Sequence, residues 1–342
     1  MNTKMKNLML SNILNFISLR RWTLPLGLIV LYFITFAFIF PDVFLSAYNL
    51  TSMLLEFSVP ALLTVGMTIN LIGGEIDLSL GYATMFSVVF SAYLIVLGVP
   101  TIFALLITVI FTLIVGYIVG ILVSRVGVNS FIATLGSGMM FFGLGLMIAE
   151  SGRTLGTING IDIQHLPNSF SIIGQLKLIK FEGGGAITLP IIYALILIII
   201  FSYLMSNNST FRKYYYIGIN KKAAILSGIN VKRMKTIGFV ISASLAGFSG
   251  VILCARMASG AVGLGVGMEM NAVTAAVIGG VSIKGGSGSV LGAVLGTLFI
   301  ICLNNGLRIG EVPSEMYKVI QGCVLLIALI IDASFSRRKV VG

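Results

Sequence analysis

Long apolar runs alternate with short polar segments along this 342-residue chain. A helix needs about 20 mainly apolar residues to cross a hydrocarbon core about 30 Å thick, whereas a strand of a membrane barrel needs about 10 residues in strict alternation. The runs have helical length and show no alternation, so they predict an all-α polytopic membrane protein with about ten transmembrane helices. The predicted spans are 22–40, 50–72, 79–98, 101–123, 131–149, 188–205, 236–256, 269–282, 289–306 and 317–333.

Composition supports the same class. Hydrophobic residues make up 57% of the chain and charged residues only 10%, and the mean hydropathy is +1.07. So few charges do not cover the surface of a water-soluble globule. The composition therefore excludes an ordinary soluble protein.

Lysine and arginine are unevenly distributed between the two sets of loops. With the N-terminus inside, 16 of them fall in inside segments and four in outside segments, which predicts that both termini are cytoplasmic. The corresponding organisation is a cytoplasmic lead 1–21, one transmembrane domain 22–333 with an outer loop 150–187 and a cytoplasmic loop 207–235, and a cytoplasmic tail 334–342. This topology and anionic lipid headgroups explain the net charge of +11, and nothing indicates a nucleic-acid partner.

The loop 207–235 is polar and carries seven lysines and arginines. Asn220 is a good N-cap for a short helix over 221–226, and Gly228 supplies the left-handed residue that ends it. A helix of about two turns is too short to be stable alone in water. The loop is therefore either a docking site for a soluble partner or a solvated segment that merely satisfies the positive-inside rule.

A second polar segment, LIGGEIDLSLG, interrupts the apolar sequence at Leu71–Gly81. Its Gly-Gly pair breaks a helix, Glu75 and Asp77 supply two carboxylates, and Asp77 or Ser79 can cap the next helix. A broken helix is tolerated at membrane depth only where it is buried in protein or lines a wet cavity. The segment is thus a candidate for the transport pathway, the alternative being a short turn at the cytoplasmic surface.

Glycine also occurs in two further patterns, a second helix break and a four-residue spacing. A second Ile-Gly-Gly sequence occurs within Ala275–Gly296, and paired helix breaks can mark a transport site built from repeated halves, although three matching residues can also arise by chance. Four-residue glycine spacing at Gly116 and Gly120, and again at Gly288, Gly292 and Gly296, predicts close helix packing.

Motifs for energy supply are missing from the sequence. It contains no phosphate-binding loop, no dinucleotide fingerprint and no series of His, Lys and Asp in its apolar runs that would form a proton relay. His165 is expected to be a surface residue, and Cys254, Cys302 and Cys323 lie in apolar runs, where cysteine usually acts as a small apolar residue. We therefore expect no metal or cofactor, and we expect the energy source to be another subunit.

Six segments in matching order resemble the permease subunits of ribose-type sugar ATP-binding-cassette importers. Together they extend over nearly the whole chain. They are Val65–Gly81, Phe131–Met140, Gly218–Lys235, Ser242–Arg256, Ala275–Gly296 and Leu303–Leu307.

The resemblance implies the type II importer fold in a bacterial plasma (inner) membrane. It implies a pathway between this subunit and a second permease, either another copy or a paralogue, and a periplasmic or lipid-anchored sugar-binding protein. ATP-Mg would be bound by ABC ATPase subunits at the cytoplasmic face, so the permease itself would be no enzyme and would carry no cofactor. The expected activity is import of a monosaccharide such as ribose, or a similar neutral polyol, by alternating access.

The segment Gly218–Asn230 matches the family's coupling helix, which contacts the ATPase. The resemblance implies this role for Gly218, Asn220, Ala223, Ala224, Leu226, Ser227 and Gly228. Two positions depart from the family pattern: Glu75 stands where glycine is usual, and Glu269-Met270-Asn271 replaces Glu-Leu-Asp. Both departures bear on the identity of the substrate.

Polar and aromatic residues of the spans are the candidates for the pathway and its gate. Carboxylates and amides offer hydrogen bonds to a polyol and phenylalanine offers an apolar face, but the same side chains also serve helix packing. The candidates are Asn70, Glu75, Asp77, Ser79, Phe131, Glu269, Asn271, Asn304 and Asn305.

Two other functions remain open at the level of sequence. A permease of the same superfamily could carry a furanosyl signalling molecule, a nucleoside or a branched-chain amino acid. An ion-coupled secondary transporter could use Glu75, Asp77 and Glu269 as its coupling groups. The spans contain almost no lysine or arginine to pair with phosphate, which favours a neutral substrate.

Overall fold

The structure is a computed structural model that describes residues 23–153, 161–162 and 167–338. The predicted lead 1–21 and His165 lie outside the described residues, as do the last four residues of the predicted tail. The described residues are mainly helical.

Fourteen α-helices are described. They are α1 Thr23–Ile39, α2 Pro41–Phe44, α3 Ala47–Ile72, α4 Leu80–Val96, α5 Thr101–Ile121, α6 Ser130–Arg153, α7 Asn168–Gln175, α8 Leu189–Asn207, α9 Ser209–Ile219, α10 Lys221–Leu226, α11 Val231–Met257, α12 Met268–Ile278, α13 Val290–Ile309 and α14 Ser314–Arg338. A π-helical turn, Leu122–Val126, follows α5. Four short strands form two antiparallel pairs: β1 Ile161–Asp162 with β4 Ser259–Gly260, and β2 Lys177–Lys180 with β3 Ala186–Thr188.

Six of the described helices are long and apolar enough to cross a membrane, namely α3, α5, α6, α8, α11 and α13. The helices α1, α4 and α12 contain shorter apolar segments. The prediction of a helical protein with several membrane spans is therefore confirmed.

The predicted span 269–282 is helical only as far as Ile278, four residues short of its predicted end. The helix α12 has only 11 residues, which is about 16 Å at 1.5 Å per residue. Three glycines with positive φ, Gly263, Gly265 and Gly267, keep the preceding segment non-helical. A Cβ at Gly265 would come within 2.8 Å of the backbone nitrogen of Met85, so this segment packs closely against α4.

The helices α3 and α11 form the centre of the bundle. In each, 72% of the most apolar window is buried, compared with 22% in α6 and 28% in α8. The helix α11 packs against α3, α4 and α5. The weakly buried apolar faces of α6 and α8 are suited to contact lipid or another subunit.

Glycines bring several of these helices together, as their spacing predicted. A Cβ at Gly116 would lie 2.8 Å from the carbonyl oxygen of Phe239, and one at Gly120 would lie 2.8 Å from Cα of Thr236. Gly292 and Gly296 likewise face the backbone of α12 and its C-terminal glycine. Gly288 is the exception, because it precedes α13 and has a φ of +133°.

The two Ile-Gly-Gly sequences form the same type of helix end. Gly74 and Gly280 are left-handed, with φ of +79° and +82°. Each donates its N–H to the carbonyl three residues earlier, and the next residue donates to the carbonyl five residues earlier, all at 2.9 Å. This is the Schellman arrangement, so the helix-breaking role predicted for the first pair is confirmed.

Loops at one end of the bundle contact one another. Gly286 N–H donates to the carbonyl oxygen of Ile72 at 2.8 Å, and the Ser124 and Thr236 hydroxyls are 2.9 Å apart. We call this the basic end, and it consists of the loops 73–79, 122–130, 207–235 and 279–289.

Other contacts join segments at the opposite end of the bundle. Thr101 and Ser169 hydroxyls are 2.7 Å apart, and Gln175 Nε2 donates to the carbonyl oxygen of Ala255 at 3.1 Å. The strand pairs lie here as well, so we call it the strand end. It is separated from the basic end by α3, whose 26 residues extend about 39 Å.

Candidate functional site

The predicted short helix is present as α10. The Asn220 side chain accepts a hydrogen bond from Ala223 N–H at 3.1 Å. Gly228 follows the helix with a φ of +77°. Both the N-cap and the left-handed end predicted from the sequence are therefore confirmed.

Exposure distinguishes the residues of this helix. Ala224 is 3% exposed and belongs to the hydrophobic core, whereas Leu226 is 89% exposed. Ala223 and Ser227 are also exposed, and the Ser227 hydroxyl donates to the carbonyl oxygen of Ala223 at 3.0 Å. The face available to a partner thus contains Ala223, Leu226 and Ser227 but excludes Ala224.

The preceding helix, α9, is held firmly against the rest of the basic end. The buried Tyr214 hydroxyl donates to the carbonyl oxygen of Met234 at 2.7 Å, and Tyr215 donates to that of Gly288 at 3.2 Å. Burial raises the pKa of Tyr214, so the hydroxyl remains a donor. A Cβ at Gly218 would collide with the backbone of Ile72 and of the loop 279–289.

Glu75 lies at the basic end, where its carboxylate forms an ion pair with Lys235. The Lys235 and Glu75 side chains are 11% and 12% exposed. The ion pair thereby connects the loop 207–235 to Glu75, the residue that stands where the resembled family usually has glycine. For Glu75, the geometry agrees with the alternative of a turn near the membrane surface.

Asp77 is 1% exposed and its carboxylate is fully engaged. One oxygen accepts the Ser79 hydroxyl at 2.6 Å and the Ser79 N–H at 3.1 Å, and the other accepts the Ser242 hydroxyl. Burial raises the pKa of Asp77, and the hydrogen bonds from Ser242 and Ser79 oppose that shift. The carboxylate therefore ties the start of α4 to the middle of α11.

Of the two residues predicted as possible caps of α4, Asp77 accepts a backbone N–H just before the helix, that of Ser79, whereas the Ser79 side chain caps nothing. Ser79 is the N-cap residue, but its side chain accepts no hydrogen bond from the first turn. It donates to Asp77 instead, as described above. The segment is further held by Leu78 N–H, which donates to the Thr134 hydroxyl at 3.1 Å, so the break is buried in protein, as expected from its polarity.

Glu269 lies in the first turn of α12 and is 7% exposed. It accepts the Gly267 N–H at 3.1 Å, and its side chain occupies the space beside Gly81, where a Cβ would collide with it. Asn271 is partly exposed two residues later. The structure thus places Glu269 beside the first turn of α4.

Two of the candidate asparagines join helices. Asn305 exchanges hydrogen bonds with Asn49 and accepts the Tyr32 hydroxyl at 2.9 Å. Asn304 accepts from Gln321 Nε2 at 2.8 Å. These contacts support the packing alternative for both asparagines.

Asn70 and Phe131 differ from them. Asn70 is 2% exposed, and its Nδ2 has no hydrogen-bond partner among the residues that the structure describes. Phe131 is 50% exposed near the start of α6. The candidate pathway residues therefore do not form one cluster, and among the described residues no group of His, Cys, Asp or Glu could hold a metal ion.

Sequence reasoning missed the partners of the two carboxylates. Lys235 and Ser242 belong to α11, 160 and 165 residues after their partners. Ser242 could have been noted as a polar residue in an apolar run, but no local pattern identifies its partner. Lys235 was counted among the positive charges of the loop 207–235, but its ion pair with Glu75 was not predicted.

Comparison with known proteins identifies related permeases. Residues 49–329 match the family described as branched-chain amino acid transport system / permease component. The D-allose transport system permease protein of Escherichia coli is 32% identical over 300 residues, which cover 87% of each chain. The ribose import permease protein of Haemophilus influenzae is 30% identical over 87% of this chain and 89% of its own.

A xylose transport system permease protein of Escherichia coli is also similar. It is 30% identical over 86% of this chain and 87% of its own. No solved structure gives a significant match.

Proposed function

Since this chain belongs to the branched-chain amino acid transport system permease family, as a permease of the sugar ATP-binding-cassette importer type, we propose that it forms the pathway for a neutral monosaccharide, such as ribose, by alternating access. Such a permease is a multi-pass protein of the inner membrane. It is not an enzyme, because the ATPase is a separate subunit.

The observation that carries the proposal is the extent of the similarity. Sugar permeases named for allose, ribose and xylose each align with more than four fifths of the chain. The charge of the bundle is consistent with a neutral substrate, because Arg308 in α13 is paired with Glu56 through two contacts of 2.8 Å.

We further propose ten membrane crossings with both termini in the cytoplasm, as in a type II importer. Contacts between loops support this topology. The described loops assigned to the inside by their charge meet at the basic end, and those assigned to the outside meet at the strand end. An even number of crossings is required for both termini to lie on the same side.

Docking of the ATPase at α10 is part of the same proposal. Three large apolar residues in or beside this six-residue helix, Ile219, Ile225 and Leu226, are 70%, 54% and 89% exposed, and grouped exposed apolar residues are typical of an interaction site. The helix connects directly to α9, which is packed against the end of α3 at Ile72 and Gly73 and against the loop 279–289. Movement imposed on α10 by ATP binding would therefore reach the membrane helices. A second permease and a sugar-binding protein complete the proposed assembly.

Uptake by the reconstituted complex tests the proposal. The permease, its ATPase and its binding protein are placed in liposomes, and accumulation of labelled ribose, D-allose, xylose and leucine is measured. We expect accumulation of at least one of the sugars, dependent on ATP and on the binding protein, and none of leucine. Uptake that follows an ion gradient without ATP would indicate a secondary transporter, and uptake of leucine alone would refute a sugar substrate.

A further inference from the structure

A cavity of about 200 Å³ opens at the basic end beside the first residue of α10. It lies between the end of α3, the loop 207–235 and the loop 279–289. Its lining residues are Gly73, Gly74, Glu75, Ile217, Gly218, Lys221, Lys235 and Lys284. The volume exceeds that of a single water molecule several times over, so a small polyatomic ion fits.

The charges around this cavity are unbalanced. Three lysines face one carboxylate, and Lys235 is neutralised by Glu75. Lys221 and Lys284 are exposed and form no ion pair with any residue in the part of the chain that the structure describes. Lys221 and Lys284 therefore give the cavity an excess of positive charge, which a bound anion would neutralise.

Backbone N–H groups of the adjacent glycine-rich loop are already occupied. Gly285 donates to the carbonyl oxygen of Ser282 at 3.1 Å, and Gly286 donates to that of Ile72 at 2.8 Å. The loop thus does not offer these N–H groups to a ligand. Binding of an anion would depend on the lysine side chains.

We propose that this cavity binds a phosphate group, held between Lys221 and Lys284. Phosphate fits because it carries up to two negative charges and several acceptor oxygens, which match two ammonium donors on separate loops. The bound group would join the start of α10 to the loop 279–289. If α10 docks the ATPase, as proposed above, occupancy would stiffen the connection between the ATPase and the membrane helices.

The phosphate group has two possible sources with the same chemistry. One is the headgroup of an anionic lipid in the adjacent leaflet, and the other is free phosphate or a phosphate ester in solution. A lipid would bind when presented in a membrane or micelle, whereas free phosphate would compete directly in solution.

The first measurement is a phosphate titration of the full-length permease in maltoside micelles, followed by phosphorus NMR at constant ionic strength. We expect saturable broadening of the inorganic phosphate signal. Lys284→Gln should raise the dissociation constant about tenfold, since a charge-assisted hydrogen bond is lost. Glu75→Gln should lower it several-fold, because the one carboxylate at the cavity is removed.

Lys222→Gln is the matched control. Lys222 is exposed on the same helix and adjacent to Lys221, but it does not line the cavity. The control should bind phosphate within about twofold of the wild type, because a surface charge outside the site contributes little. Equal loss in the Lys222 and Lys284 variants would show a general charge effect and would overturn the proposal.

Lipid as the source is tested with the same variants in mixed micelles. Phosphatidylglycerol, but not phosphatidylcholine, should raise the melting temperature of the wild type and not that of Lys284→Gln. If phosphatidylglycerol has this effect and inorganic phosphate does not compete with it, the lipid headgroup is the ligand. Failure of both probes to bind would refute the site.

Neither measurement uses the ATPase or the transported sugar. Phosphate binding with no ATP-driven uptake would contradict the proposed function but keep the site. Uptake by a permease that binds neither phosphate nor phosphatidylglycerol would refute the site but keep the proposed function. If Lys284→Gln does not fold, the opposite shift expected for Glu75→Gln still decides the proposal.

Discussion

Ser242 is the residue through which α11 satisfies the buried carboxylate of Asp77. The Ser79 hydroxyl and N–H bind one carboxylate oxygen, and Ser242 alone among the described residues reaches the other from a different helix. An unsatisfied buried acceptor carries a desolvation cost. Ser242 therefore contributes to the stability of the bundle beyond its small size.

Substitution of Ser242 by alanine tests this role. We expect Ser242→Ala to lower the free energy of unfolding by about 1–3 kcal/mol, because one carboxylate oxygen is left without its donor. The measurement is reversible denaturation of the purified permease in mixed micelles.

Ser244 supplies the control on the same helix, since its hydroxyl bonds only to the carbonyl oxygen of Val240, at 2.8 Å. Ser244→Ala should change stability by less than about 0.5 kcal/mol. Equal effects of the two substitutions would show that the Asp77 contact is not the cause.

Local interactions were predictable at this scale, and distant ones were not. The Asn220 cap joins residues three positions apart, so the sequence contains both partners within one helical turn. Ser242 is 165 residues from Asp77, and only the packing of α4 against α11 brings them together. The ion-pair partner of Glu75, Lys235, is likewise distant in the sequence, by 160 residues.

Among the helices, the contact between α5 and α11 depends on small residues. Gly116 lies so close to Phe239 that a Cβ would be only 2.8 Å from its carbonyl oxygen. Because backbone is less able to move than the end of a side chain, an added methyl group must separate the helices.

Gly116→Ala should therefore lower the free energy of unfolding by about 1–3 kcal/mol. Gly143→Ala on α6 is the matched control, since a Cβ there meets nothing within 4 Å. Alanine is the better helix former by up to about 1 kcal/mol, so the control should be neutral or stabilising. Denaturation in micelles measures both, and a stabilising Gly116→Ala would contradict close packing at this contact.

The helix α10 allows a second test at this scale. Ala223→Asp places charge and bulk on the exposed face, and we expect it to lower ATP-driven uptake at least tenfold while the permease remains folded. Ala224→Asp buries a carboxylate in the core and should lower stability as well, because Ala224 is 3% exposed. Normal uptake by an intact complex of Ala223→Asp would exclude this face from coupling.

Apolar runs predicted the long helices well, because length and hydropathy are properties of the sequence itself. They were less accurate at α12, which ends at Ile278, because the left-handed Gly280, with a φ of +82°, ends the helix before the predicted limit at residue 282. The four strands were also missed. Each has only two to four residues, which is too short to show an alternating pattern.

For the whole molecule, the proposed topology places the basic and strand ends on opposite sides of the membrane. Lysine and arginine counts predict the same division, and the loop contacts cited above for the described residues agree with it. Orientation can therefore be tested with one exposed residue from each end. Asn168 in α7 and Ser227 after α10 are both exposed.

Single cysteines at these positions make the test direct. Cys323, an exposed native cysteine, is first replaced by serine, and intact cells are treated with a membrane-impermeant thiol reagent. We expect Asn168→Cys to be labelled in intact cells and Ser227→Cys only after the membrane is opened, since α10 would face the cytoplasm. Reversed labelling would invert the orientation and move the proposed phosphate site outside the cell. Labelling of both positions in intact cells would place the two ends on the same side of the membrane. The helix α3 lies between these ends and is long enough to span the membrane, so this result would contradict the proposed topology.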